Sequence, residues 1–408
     1  MMADAYIDLL AFQDREGDLD LICSQEDWPI VLNVFGEAGI GKTRLLKSVQ
    51  HRLESGNRDT LVMYIDLENS EGNPNLAIDN ILHEITNGLP ERIDATWQNP
   101  EQVAGVLVSE LSRLARTQKK KIMLLFDTTE QLQTEMKFWT WLEVNLVGPL
   151  VLDGGIRQVF AGRTAAPWRR IEVRRKLQTL CLKKLPYRIN LRGLAISLLT
   201  ARGMEWDEPK LENILVDLIE TYGFGHPRLS IALGEKIISD WNTRTLAQYL
   251  EEKSNYEKEI CQKVIEKFIA ENFLKNVPEP WKTFLWWLCP LEEHFDLIFV
   301  KEYLNKVLRD EVKNHPEHFY IQGLFELRII YSVLQKDPAG EYFNGVIGEV
   351  MRRCFRVLRP ADYAQACQQI AATYADMIKN YLADDVDESA GKNELVIKYE
   401  GYSKGATV

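Results

Sequence analysis

Residues 36–43 read Gly-Glu-Ala-Gly-Ile-Gly-Lys-Thr, a full match to the pattern G-x-x-x-x-G-K-S/T. The chemistry this pattern serves is the holding of a polyphosphate. Gly36, Gly39 and Gly41 let the backbone turn so that successive N–H groups converge on phosphate oxygens. A helix beginning near Gly41 would add the positive end of its dipole. Lys42 is placed to reach the β- and γ-phosphates, and Thr43 to offer its hydroxyl to Mg²⁺. Ala38, Ile40 and Arg44 complete the expected binding set, and the implied ligands are ATP or ADP with Mg²⁺.

A phosphate loop needs an acid opposite its Thr. Residues 122–127 read Ile-Met-Leu-Leu-Phe-Asp, an apolar strand that ends in Asp127 and follows the loop by about 80 residues. A buried strand would fix that carboxylate, which then holds Mg²⁺ directly or through water. Many ATPases of this kind place a second acid immediately afterwards to activate water. Here that position is Thr128, and Glu130 is the nearest carboxylate. Glu130 is read either as the general base or as a favourable charge at the start of the next helix. A poorly placed base predicts slow hydrolysis.

The elements that must position these groups alternate. Strand-like runs cover residues 30–35, 61–67, 122–126, 156–161 and 177–185. Helical stretches separate them, including 42–53 and two within 73–117 interrupted near 88–100. Such alternation predicts a parallel sheet covered on both faces. From residue 191 the pattern turns helical, with helices over 191–203, 209–222 and 229–241, a break at 223–227 and a charged helical stretch over 242–276. Residues 278–382 combine helices with a strand over 329–334, a turn over 336–340 and a strand over 341–343, the order of a winged-helix unit. Residues 383–408 read as a flexible tail.

The chain has 408 residues, enough for two or three domains, and a net charge of −11. That charge disfavours a general nucleic-acid coat, though one basic face on an acidic body remains compatible with it. Residues 169–176 hold such a cluster in Arg169, Arg170, Arg174, Arg175 and Lys176, read as a solvated helix face or a surface for a neighbouring subunit. Six cysteines without a CxxC pair, no basic-then-apolar start and no apolar run long enough to cross a bilayer place the chain in the cytoplasm, without a membrane partner. The aromatic group of Trp281, Trp286 and Trp287 reads as core.

In order along the chain, these residues resemble the STAND class of signal-transduction NTPases, which includes the NB-ARC and NACHT proteins. Residues 12–16, Phe-Gln-Asp-Arg-Glu, resemble the F-x-G/D-R-E segment such proteins place beside the adenine. Phe160-Ala161-Gly162-Arg163 resembles the fourth-strand sensor, whose Arg reads the γ-phosphate. Gly225-His226-Pro227 resembles the G-x-P motif of a helical lid, which implies nucleotide contacts from His226 and Pro227. Asn344 stands where the winged-helix domain of the family carries an ADP-contacting His, a departure from the family pattern. No repeat-type sensor or effector domain is recognisable.

The expected fold is α/β: a doubly wound parallel-sheet P-loop NTPase domain (1–187), a helical lid (188–242), a connecting helix (243–277), a winged-helix-like domain (278–382) and the tail. The expected function is an ATP-binding, slowly hydrolysing switch. Lys42, Asp127, Glu130 and Arg163 are its catalytic candidates, Thr43 and Asp127 its metal ligands, and a protein or a second copy its partner. Two other classes remain: a DNA-binding ATPase of the initiator or regulator type, and a small-molecule kinase, for which no acceptor site is visible.

Overall fold

In a computed structural model, the described residues are 15–23, 30–56, 60–70, 72–90, 99–153, 156–184, 209–241, 253–292, 294–308, 315–329, 331, 333–337 and 340–383. The chain divides into two compact units, Met1–Met204 and Glu205–Val408. The expected helix over 191–203, most of the 12–16 segment, the 187/188 boundary and the tail lie outside the described residues.

The first unit is built on five parallel strands: β1 (Val31–Phe35), β2 (Thr60–Asp66), β3 (Lys121–Asp127), β4 (Ile156–Gly162) and β5 (Leu177–Cys181), in the order β2-β3-β4-β1-β5. Side chains alternate between two apolar layers, as a doubly covered sheet requires. Ile122, Leu124 and Phe126 of β3 enter one core, whereas Met123 and Leu125 enter the other. The first layer holds helices α3 (Pro74–Gly88), α4 (Pro100–Thr117), α5 (Met136–Leu142) and α6 (Gly148–Asp153); the second holds α1 (Glu16–Cys23) and α2 (Lys42–Gly56). Helix α7 (Ile171–Arg175) precedes β5.

Local sequence explains several boundaries. The side chains of Asn73 and Asn99 accept from backbone N–H groups of α3 and α4, each with Pro at the first helical position. That pairing satisfies an orphan donor and removes another. The expected fifth strand ends at Cys181, four residues early. The Asn-rich break is real, since α3 ends at Gly88 and α4 starts at Pro100.

The second unit contains α8 (Pro209–Gly223), α9 (Pro227–Trp241), α10 (Lys253–Ile260), α11 (Glu266–Asn272), α12 (Trp281–Leu288), α13 (Leu297–Val307), α14 (Glu317–Ile329), the antiparallel strands β6 (Leu334–Asp337) and β7 (Gly340–Phe343), α15 (Ile347–Leu358) and α16 (Pro360–Ala383). A bridge from Phe295 to Glu341 adds a third short strand position beside the hairpin. Helices followed by a hairpin match the order read from the sequence, which did not foresee the bridge. The expected strand over 329–334 is corrected: α14 continues to Ile329 and β6 starts at Leu334. The N–H groups of Tyr331 and Val333 are used on the helix carbonyls of Glu326 and Leu327, so neither is free to join a ladder. Trp281 is buried, but Trp286 and Trp287 are only half-buried, a second departure from expectation. Among the described residues no helix is long and apolar enough to cross a membrane.

A phosphate loop facing a buried carboxylate

The loop between β1 and α2 has the backbone its glycines permit. Gly39 and Gly41 sit at φ 76° and 105°, a region that side chains strain to enter. A Cβ on Gly36 would lie 2.8 Å from the Leu182 carbonyl oxygen. Ile40 plugs the loop into the core with Leu32, Val34 and Leu182. Helix α2 begins its ladder at once, the Leu45 N–H donating to Gly41 at 2.9 Å. Lys42 is buried, and its Nζ donates to the carbonyls of Gly36 (2.8 Å) and Glu37 (2.7 Å). Burial lowers its pKa, with Glu130 and Asp127 opposing that shift and Arg163 adding to it.

Arg15 braces the loop from outside. It is buried, and its guanidinium donates to the carbonyls of Ile40 at 3.0 Å and Lys183 at 2.7 Å and pairs with Asp18 at 3.1 Å. Sequence reading singled this residue out by resemblance alone; its role at the loop is a matter of tertiary contact.

Asp127 ends β3 and is 1% exposed. It accepts hydrogen bonds from the Tyr64 hydroxyl (2.6 Å), the Thr128 N–H (2.9 Å) and Thr43. Burial raises its pKa, and these three donors pull it back. The Thr43 hydroxyl and a buried carboxylate, already in contact, form a hard oxygen pair of the kind Mg²⁺ prefers, so Thr43 and Asp127 fit as its ligands. Bound there, the ion would neutralise charge on the β- and γ-phosphates.

Thr128 adopts the left-handed conformation, φ 60° and ψ 34°, and its hydroxyl donates to Asp66 at 2.9 Å. The turn carries Glu130 into a short 3-10 helix, Thr129–Leu132, next to the end of β4. There Glu130 Oε1 lies 3.5 Å from Arg163 Nε, at ion-pair distance without a hydrogen bond, and Glu130 Oε2 is buried with no hydrogen-bond partner among the described residues. Gly162 makes the approach possible, because a Cβ there would stand 2.3 Å from Thr129 Oγ1. The first unit thus brings together Lys42, Thr43, Asp127, Glu130 and Arg163. Tyr64 and Asp66, which complete the network from β2, escaped the sequence reading; a Tyr two residues before an Asp in an apolar strand was the available signal.

Residues 30–228 match the family model described as the NACHT domain. That region is a P-loop NTPase domain of the NACHT type. A solved structure with a TM-score above 0.5 supports the fold, and two with lower scores are also similar. A Walker-type ATPase of Pyrococcus abyssi superimposes with a TM-score of 0.51 at 11% identity, covering 83% of this chain and 95% of that one. The ORC2 protein of Aeropyrum pernix in its ADP form gives 0.44 at 12%, covering 86% and 95%, and Cdc6p from Pyrobaculum aerophilum 0.41 at 12%, covering 86% and 95%. No curated protein matches the sequence.

The NACHT match extends into the second unit as far as Arg228, and so includes His226 and Pro227. His226 is buried and caps a helix: Pro227 opens α9, and the Leu229 N–H donates to His226 Nδ1 at 3.2 Å. Its ring meets Phe268 edge-on at 5.2 Å. Asn344 is buried, accepting at Oδ1 from Gln335 at 2.6 Å. The basic cluster lies on and around α7, where Arg169, Arg174, Arg175 and Lys176 are exposed.

Proposed function

We propose that this protein is an ATP-binding, slowly hydrolysing switch that acts on a protein partner or a second copy in the cytoplasm. The observation that carries the reading is the convergence of a complete phosphate loop, the Thr43–Asp127 pair and the Glu130–Arg163 pair at one end of one sheet. Lys42 would meet the β- and γ-phosphates, with Arg163 sensing the γ-phosphate. Glu130, held beside Arg163, is the candidate base. The second unit is proposed as the responding part.

A switch needs a contact present in one nucleotide state and absent in the other. One charge-assisted hydrogen bond supplies roughly 1.5–3 kcal/mol. Moving a balance from 1:99 to 99:1 takes about 5.5 kcal/mol. Arg163 alone falls short, so an associated copy or partner must add the remainder. The exposed residues of α14, among them Glu317, His318, Ile321, Gln322 and Phe325, include no Lys or Arg, which favours protein over nucleic acid as that partner. Small-angle scattering with ADP and with a non-hydrolysable ATP analogue, at two protein concentrations, tests the proposal. The expected result is a nucleotide-dependent profile that sharpens with concentration. Four identical profiles with nucleotide bound would leave an ATP-binding protein without a switch.

A further inference from the structure

Tyr64 has no place in the phosphate-loop motif or in the acidic strand end, yet it touches the Asp that closes that strand and a Lys of the helix that follows the loop. It stands on β2 opposite Leu125 of β3, two residues before the strand ends at Asp66, level with Asp127. Its hydroxyl donates to Asp127 Oδ2 at 2.6 Å, a short charge-assisted bond. The Thr128 N–H holds the other oxygen, Oδ1, at 2.9 Å. With these two donors on different oxygens, and Thr43 as a third, the carboxylate is clamped against rotation about its own axis. The ring of Tyr64 is steadied in turn by Lys47, whose Nζ lies 5.9 Å from the ring centroid. Lys47 is one turn along α2 from Thr43, so one helix face reaches Asp127 twice, directly through Thr43 and through the Lys47–Tyr64 contact.

We infer that Tyr64 is the positioning residue that aims the Asp127 carboxylate at the metal that accompanies the nucleotide. The inference rests on the nucleotide-site reading and deepens it. Tyr64 touches neither phosphate nor metal in this role; it acts through Asp127. A residue that orients a metal ligand from behind is worth about 10- to 100-fold in metal affinity. The competing role is structural, with the tyrosine filling space beside β3 and its hydroxyl doing nothing further.

Tyr64→Phe separates the two, because it keeps the ring and the Lys47 contact and removes only the donor. ATP affinity is measured by calorimetry with Mg²⁺ and with chelator, and Mn²⁺ binding to the protein–ATP complex by electron paramagnetic resonance. The variant is expected to weaken Mn²⁺ binding by about 10-fold or more, to lose most of the Mg²⁺-dependent gain in ATP affinity, and to keep the metal-free affinity and the unfolding midpoint of the wild type. Tyr64→Ala should lose no less in metal binding and should also unfold at lower temperature. Wild-type Mn²⁺ affinity in Tyr64→Phe would overturn the inference. So would an equal loss of ATP affinity with and without metal, which would mark a structural residue. Failure of the wild type itself to bind ATP would sink the nucleotide site and this inference together. Wild-type ATP binding that ignores Mg²⁺ would sink the inference alone.

Discussion

At the scale of single residues, two side chains decide different steps. Lys42 is buried with its ammonium on two loop carbonyls, a geometry that keeps it at the phosphate site and ties it to the loop's own backbone. Lys42→Ala removes the only Lys or Arg of the 36–43 loop. Charge-assisted bonds of roughly 1.5–3 kcal/mol each make the expected loss of ATP affinity at least about 100-fold; unchanged affinity in a calorimetric titration would overturn the loop assignment. Glu130 is tested separately. If it serves as base, Glu130→Gln lowers the hydrolysis rate by about 100-fold or more and leaves ATP affinity nearly unchanged. A wild-type rate in that variant would reduce Glu130 to a helix-start charge and a neighbour for Arg163. In either case wild-type turnover is expected to be slow, because Thr128 occupies the usual position of the acid and points its hydroxyl at Asp66.

At the scale of elements, glycines show how packing overrides propensity. Gly105 lies inside α4 with nothing within 4 Å of a Cβ placed on it, whereas a Cβ on Gly323 of α14 would stand 2.0 Å from the Trp281 ring. Gly-to-Ala in a helix interior stabilises by about 0.5–1 kcal/mol when space is free. Overpacking a filled site costs about 1–3 kcal/mol. Gly105→Ala is therefore expected to raise the midpoint of urea unfolding and Gly323→Ala to lower it, although the two changes are chemically the same. Equal shifts in one direction would mean that Trp281 can move aside and that α12 and α14 are not locked together. The sheet follows the same logic on a larger scale. The stacked rings of Phe126 and Phe160, 4.5 Å apart, pin β3 to β4 just behind Asp127 and Gly162, so the strand ends that carry the site are anchored in the buried layer.

At the scale of the molecule, the division into Met1–Met204 and Glu205–Val408 puts the phosphate loop and its acids in one unit and the buried helix cap His226 in the other. The proposed switch needs both, which is why its test is a whole-chain measurement in two nucleotide states rather than an assay of either unit. On the second unit Ile298 is 64%, Ile321 53% and Phe325 51% exposed.

Local rules carried much of this far from any structure. The loop at 36–43 was legible because phosphate binding demands glycines, Lys and Thr at fixed spacing. The five strands, the last with its end overrun, the break before Pro100 and the start of α8 at Pro209 followed from apolar runs and from Pro and Asn signals whose effects act within a few residues. The strand read over 329–334 misplaced its start because Ile and Val suit either state, and the carbonyls of Glu326 and Leu327 claimed the donors. The strand order, the Tyr64–Asp127 bond across 63 positions, the Arg15 brace reaching Lys183 and the meeting of Glu130 with Arg163 were beyond local reading. They depend on which strands lie side by side, and only the burial of both sheet faces under their helices decides that.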